Sequence, residues 1–337
     1  MRTWFLTALI VLGAAPAPVA AGDLELRGRI VPPLRSAWVG LQSADRPFHT
    51  QTLSDLKGRF RFKKIKPGGY ALIVFHPKWG EQRRSVEVTP SFADKKNRVE
   101  ITIVVKRSNQ ARERQTMENH TVSVRELSVS RHARTEFLKA NQRLEKHDVK
   151  GAVAHLKKAV EISPQFVEAW NQLGTIAYQN GEHAQAETYF REALDLQSDA
   201  FGPVVNMGAA LLALGRHSEA LGYNRYAVTL RPDDALANSQ LGLNHFFLGS
   251  NAQAIKYLQT AKGIDPGHFS LPQVTLAEIY SRQGKVAAAI RELEDYIARH
   301  PDSERAALTR KTLARLKTQA ATGGPADAES RAASSQP

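Results

Sequence analysis

Cysteine is absent from all 337 residues. That excludes disulfides, thiolate metal sites, a cysteine nucleophile and a lipidated N-terminal cysteine. Catalytic patterns are missing as well: there is no Gly-x-Ser-x-Gly elbow, no phosphate loop ending in Gly-Lys-Ser/Thr, no His-Glu-x-x-His and no His-x-x-Glu. The eleven histidines are scattered; His183 and His217, at equivalent turns, read as surface residues. These absences point to a protein that is not an enzyme and carries no metal and no cofactor. Long hydrophobic runs are also lacking, because the longest near the start, Trp4 to Leu12, is too short to cross a bilayer.

That short run lies in a leader-like segment. Arg2 precedes it, Pro16 and Pro18 interrupt the residues after it, and Val19 and Ala21 are small residues placed for cleavage before Gly22. Residues 1–21 are expected to be a secretory signal peptide. Export without cysteine favours a bacterial, periplasmic or secreted protein.

The net charge of +13 is uneven. Residues 22–106 hold 17 Lys/Arg against 8 Asp/Glu, and residues 131–318 hold 23 against 20. In the first of these segments the apolar period is two: 24–30, 37–43, 58–62, 70–75, 85–89 and 99–105 read as strands broken by Pro, Gly, Asp and Asn. Phe60, Phe62, Ile101, Ile103 and Val105 are expected inward, and Pro67-Gly68-Gly69 is expected to turn 58–75 into a hairpin. Arg27, Arg29, Arg59, Arg61 and Lys63 alternate with apolar residues, so they belong on a solvent face. If their strands are neighbours, like charges meet at a cost, and an anionic polymer could offset it; a solvated face is the plain alternative. No aromatic interleaving marks a nucleic-acid surface.

Gly28-Arg29-Ile30, Val39 and Leu41, Ser54-Asp55-x-x-Gly58-x-Phe60-x-Phe62 and Pro67-Gly68-x-Tyr70 resemble the carboxypeptidase regulatory-like domain. The resemblance implies a transthyretin-like, seven-strand all-β sandwich over 22–106 and a non-catalytic accessory role. The departure is His76-Pro77-Lys78-Trp79-Gly80, where a simpler turn is usual. With Trp38, that loop supports an alternative reading, a carbohydrate-associated accessory protein working with a separate hydrolase.

Residues 107–130 are polar and read as a linker. Beyond them the chain repeats itself. Pro164, Pro232, Pro266 and Pro301 recur with Ser198 in the missing place, at intervals of 34, 34, 34 and 35; Ala152, Ala186, Ala220, Ala254 and Ala289, and Gly181, Gly215, Gly249 and Gly284, keep step. Such a period is that of stacked helical hairpins. Trp170, Leu173, Gly174, Ala186, Phe190 and Ala193 are similar to the tetratricopeptide repeat. The resemblance implies an all-α solenoid of five repeats with a capping helix over 131–318, with a disordered tail over 319–337.

The resemblance further implies a concave groove, lined by the first helices, that takes a protein or peptide partner. By helical phase it presents Phe137, Asn141, Asn171, Tyr178, Val205, Leu212, Ser239, Phe246, Glu278 and Arg282; Phe137 and Leu212 read equally well as inter-repeat core. The clamp by which one subgroup holds a terminal carboxylate is missing, since Phe137, Val205 and Ala209 stand where its charges would be. The whole reads as a non-enzymatic exported scaffold with a basic docking module and no transmembrane helix.

Overall fold

The computed structural model describes residues 23–77, 79–105 and 128–321. The expected signal peptide, most of the linker and most of the tail lie outside these residues.

Seven strands form the first unit: β1 (Leu24–Val31), β2 (Trp38–Ser43), β3 (His49–Leu53), β4 (Arg59–Ile65), β5 (Gly68–His76), β6 (Gly80–Val88) and β7 (Arg98–Val104). They make two sheets, β4-β1-β7 and β3-β2-β5-β6. Alternation explains the sandwich: Leu26, Ile30, Phe60, Phe62, Leu41, Leu72 and Val74 are buried between the sheets, while the residues between them turn outward. Ile103 and Val105 join this core and Ile101 packs at its edge.

The expected hairpin is not one. β4 pairs with β1 and β5 with β2 and β6, so Pro67-Gly68-Gly69 carries the chain from one sheet to the other. The crossing is pinned rather than merely permissive: the Tyr70 hydroxyl donates to the Lys66 carbonyl at 2.6 Å, and Arg46 Nη2 donates to the Pro67 carbonyl at 2.7 Å. β3, His-Thr-Gln-Thr-Leu, is an addition to the expected strands; an edge strand with one apolar residue has no alternation to read.

Eleven α-helices follow among the described residues: α1 (Arg131–Glu145), α2 (Val149–Ile162), α3 (Val167–Gln179), α4 (His183–Leu196), α5 (Phe201–Ala213), α6 (His217–Leu230), α7 (Ala235–Phe247), α8 (Asn251–Ile264), α9 (Pro272–Arg282), α10 (Val286–Arg299) and α11 (Ala306–Ala321). α1 opens on Ser130, whose side chain accepts from the Ala133 amide. α11 runs through Ala321, past the expected end at Thr318, because Gln319, Ala320 and Ala321 favour helix and the next glycine in the sequence is Gly323.

The first ten helices pair as five hairpins. In three of them a glycine on the first helix faces a larger residue on the second. A Cβ on Gly174 would lie 2.4 Å from the Phe190 ring, one on Gly208 2.0 Å from Asn224 and one on Gly242 2.7 Å from Leu258. The recurring alanines 152, 186, 220, 254 and 289 are all fully buried. Successive first helices α3, α5, α7 and α9 touch, whereas successive second helices approach one another less. The stack is therefore a curved ribbon with its first helices on the inner wall.

Candidate partner-binding surfaces

On the inner wall the residues singled out from the sequence divide into core and surface. Phe137 packs on Phe166 with ring centroids 5.1 Å apart, Leu212 packs against the core of the second and third repeats, and Val205 is buried. These three hold repeat to repeat. Tyr178 joins the same core and leans on His183, centroids 5.1 Å apart; burial raises its hydroxyl pKa. His183 and His217 are not plain surface residues, since His217 stacks on Phe247 at 4.5 Å.

Asn171 Oδ1 accepts from Asn206 Nδ2 at 3.0 Å, an amide ladder between α3 and α5. Ser239 is 2% exposed and its hydroxyl accepts from Ser270 Oγ at 2.6 Å, so it faces the next repeat and not a partner. Asn141 is half-buried on α1. On the last two first helices the structure groups three of the expected residues: the Arg282 guanidinium lies 5.1 Å from the Phe246 ring centroid and pairs with Glu278. This aromatic with two charges is an anchor of the kind a partner segment uses.

Sequence reasoning missed a hook that recurs on the first turn of the first helices. Trp170 Nε1 donates to the Pro164 carbonyl at 2.8 Å, Asn238 Nδ2 to that of Pro232 at 2.9 Å and Gln273 Nε2 to that of Pro266 at 2.6 Å. The signal was there as a donor six or seven residues after each proline. Glu136 holds the equivalent place in the first repeat. It is buried, receives Lys139 Nζ at 2.9 Å and lies 2.6 Å from His155 Nδ1; the bonds from Lys139 and His155 lower its pKa to about 2.

The sandwich lies against the ribbon. Its four-stranded sheet reaches the hairpin turns of repeats one and two, where Phe48 stacks on His147 at 5.0 Å, Thr50 donates to Glu145 at 2.8 Å and Gln179 Nε2 donates to the Ser43 carbonyl at 3.0 Å. It also reaches the connections after repeats two to five. There Arg231 lies 4.2 Å from the Phe201 ring centroid and donates to Glu81 at 3.1 Å, the Ser85 amide donates to Asp265 at 2.7 Å, Glu87 meets His300 at 2.6 Å and Ser91 Oγ donates to Asp302 at 2.6 Å. Burial raises the Asp265 pKa. It acts the same way on Glu81, but Arg83 and Arg231 outweigh it and hold that carboxyl low.

On the opposite sheet the basic residues do meet. Arg27 stands across from Arg61 and Arg29 from Arg59, on the outer face of β4-β1-β7, around an open depression of about 820 Å³ that includes Thr52, Leu53 and Thr102. Glu25 accepts from Arg27 at 3.0 Å and lies 3.6 Å from Arg61, and Asp55 pairs with Arg59 at 2.7 Å. The bond from Arg27 lowers the Glu25 pKa, with help from Arg61 and Lys63. On the other face Trp38 lies over Gly40, where an added Cβ would come within 2.4 Å of its ring, and donates to Gln51 at 2.9 Å. Trp79 packs on the sandwich core.

Among the described residues no group of three or more His, Asp or Glu is placed to hold a metal, and no helix is long and apolar enough to cross a membrane.

Comparison with known proteins mirrors this division of the chain. Tetratricopeptide repeat models match residues 137–203, 205–269 and 248–313. A model described as the second beta sandwich domain of BOS complex subunit NOMO1-like proteins matches 37–120. Tetratricopeptide repeat protein 5 of Mus musculus and its Homo sapiens counterpart are each 51% identical over 39 residues, which is 12% of this chain and 9% of theirs. Among solved structures, the Cut9 and Hcn1 hetero-tetramer aligns with 60% of this chain and 40% of that one at 21% identity and TM-score 0.50. MamA from Desulfovibrio magneticus RS-1 aligns with 52% of this chain and 99% of its own at 21% identity and TM-score 0.47. At such identities the likeness is one of fold.

Proposed function

Residues 137–313 make this chain a member of the tetratricopeptide repeat family, and from that premise we propose that it is a non-enzymatic exported scaffold which binds a protein partner on the inner wall of its repeats. The observation that carries this reading is the anchor of Phe246, Glu278 and Arg282, an exposed arginine over a half-buried aromatic and a half-buried carboxylate on two neighbouring first helices. Asn141 and the outer edges of Asn171 and Tyr178 continue the same wall. Arg27, Arg29, Arg59, Arg61 and Lys63 form a second surface that attracts an anionic envelope polymer, supported by two rows of directly opposed arginines. Export rests on the leader-like residues 1–21, and cleavage there leaves Gly22 first.

A photocrosslinker placed at Arg282 and, separately, at Arg191 on a second helix tests the inner wall. A discrete adduct from Arg282 alone, reduced at least tenfold by Glu278→Arg, is the expected result. Equal adducts at both positions would remove the inner wall from the reading.

A second reading, contact with glycan, is favoured by Trp38. Its indole lies flat on the sheet beside Phe75, 44% exposed, and Leu53, 62% exposed, which the register places on either side of it. Retention on polysaccharide that Trp38→Ala abolishes would carry this reading.

A further inference from the structure

The strand β6 lies along the connection edge of the last three repeats like a ruler. Residues two apart on a strand point the same way. On its outer face Glu81 meets Arg231 in the connection between α6 and α7 and Glu87 meets His300 between α10 and α11; between them the backbone amide of Ser85 donates to Asp265 in the connection between α8 and α9. Six residues of strand cover about 20 Å. Two steps between touching first helices, each about 8–10 Å, cover the same length. The pitch of an extended strand thus matches the pitch of the ribbon, and each of the three connections meets one point along the strand.

At the other edge of the sheet, Ser43, Phe48 and Thr50 hold the hairpin turns of the first two repeats. The two sets of contacts fall on opposite edges of the ribbon. The sheet therefore crosses the inner wall diagonally, and its outward Ala71 and Ile73 are half-buried in consequence. The joining groups are charged or polar almost throughout. Arg231 and Glu81 remain 26% and 33% exposed, so their attraction is weak and screened by salt, whereas His300 is buried against Glu87 and that contact is screened less. Polar contacts of this kind between domains permit relative motion.

We propose that the sandwich is a resident, releasable occupant of the inner wall: a polar ladder along β6 holds it there, and a partner gains the covered part of the wall only when the ladder opens. The consequence for partners rests on the proposed function; the opening does not, and its test uses no partner.

The absence of cysteine allows two labels to be placed uniquely, through Lys57→Cys on the sandwich and Gln253→Cys on α8. Spin-label distances in the full chain then report docking. The expected result is one narrow distance at low salt, lost to a broad distribution in molar salt and in Glu81→Arg/Glu87→Lys, and recovered when Arg231→Glu accompanies Glu81→Arg alone. Circular dichroism reports whether each variant keeps its helices. A narrow distance that persists in molar salt, in the chain with its ladder intact, would overturn the proposal whatever the variants do.

Discussion

The seam between helices is decided residue by residue. A glycine within a helix costs about 1 kcal/mol relative to alanine, so Gly174 persists because the Phe190 ring occupies the space of a methyl. Gly174→Ala is therefore expected to lose about 1–3 kcal/mol through overpacking, read from denaturant unfolding. In the third repeat the facing residue is Asn224, which is buried and donates to Asn244 Oδ1 at 3.2 Å; nothing on the glycine side of the seam explains that choice. Glu136 gives a pH dependence of definite sign. Its carboxyl is depressed to about 2 by Lys139 and His155, so the stability it contributes is fully present above the usual carboxylate range. That stability is lost as the pH falls toward 2. Melting temperature should drop more steeply below pH 4.5 in the parent than in Glu136→Gln, with the two converging at the acid end; parallel curves would separate Glu136 from the effect.

At the scale of elements, the opposed arginines trade stability for charge. Like charges directly across an antiparallel pair are destabilising by up to about 1 kcal/mol, and Arg29 stands across from Arg59. Arg29→Glu is expected to raise the midpoint of denaturant unfolding while lowering the salt needed to elute the protein from a sulfated polysaccharide. A gain in stability with unchanged retention would mean that the face is only solvated. The strands rich in alternation and all the repeat helices are legible in the sequence because one face of each is buried and its period shows. β3 is not legible, for it is polar and at an edge. The route from β4 to β5 is ambiguous in the sequence because Pro67-Gly68-Gly69 suits a hairpin and a sheet crossing equally; the bonds of Tyr70 and Arg46 that decide between them come from the fold.

For the whole molecule, the sequence suggests two adhesive modules on a loose connector, and the structure lays one across the other. Nothing periodic announces this. Ser85 and Asp265 are 180 residues apart, and neither belongs to a motif. The same holds for the candidate site: helical phase places Phe246, Glu278 and Arg282 together, but it does not show that Ser239 is closed by Ser270 or that Gln179 is spent on the sandwich. Acid acts on the joint in both directions. Glu81 and Asp302 lie below their usual pKa values, so their contribution is lost as the pH falls through the carboxylate range. Asp265, raised by burial, takes up its proton earlier and opposes them. Salt is accordingly the cleaner lever.

Seating of the sandwich on the repeats is the central claim, and one amide reports it directly. Ser85 N–H has its partner in Asp265 of the ribbon. Hydrogen exchange of the Ser85 amide, monitored by NMR in the intact chain at low salt, should be slow and should quicken at least tenfold in Asp265→Ala; exchange already as fast in the intact chain as in that variant would contradict it.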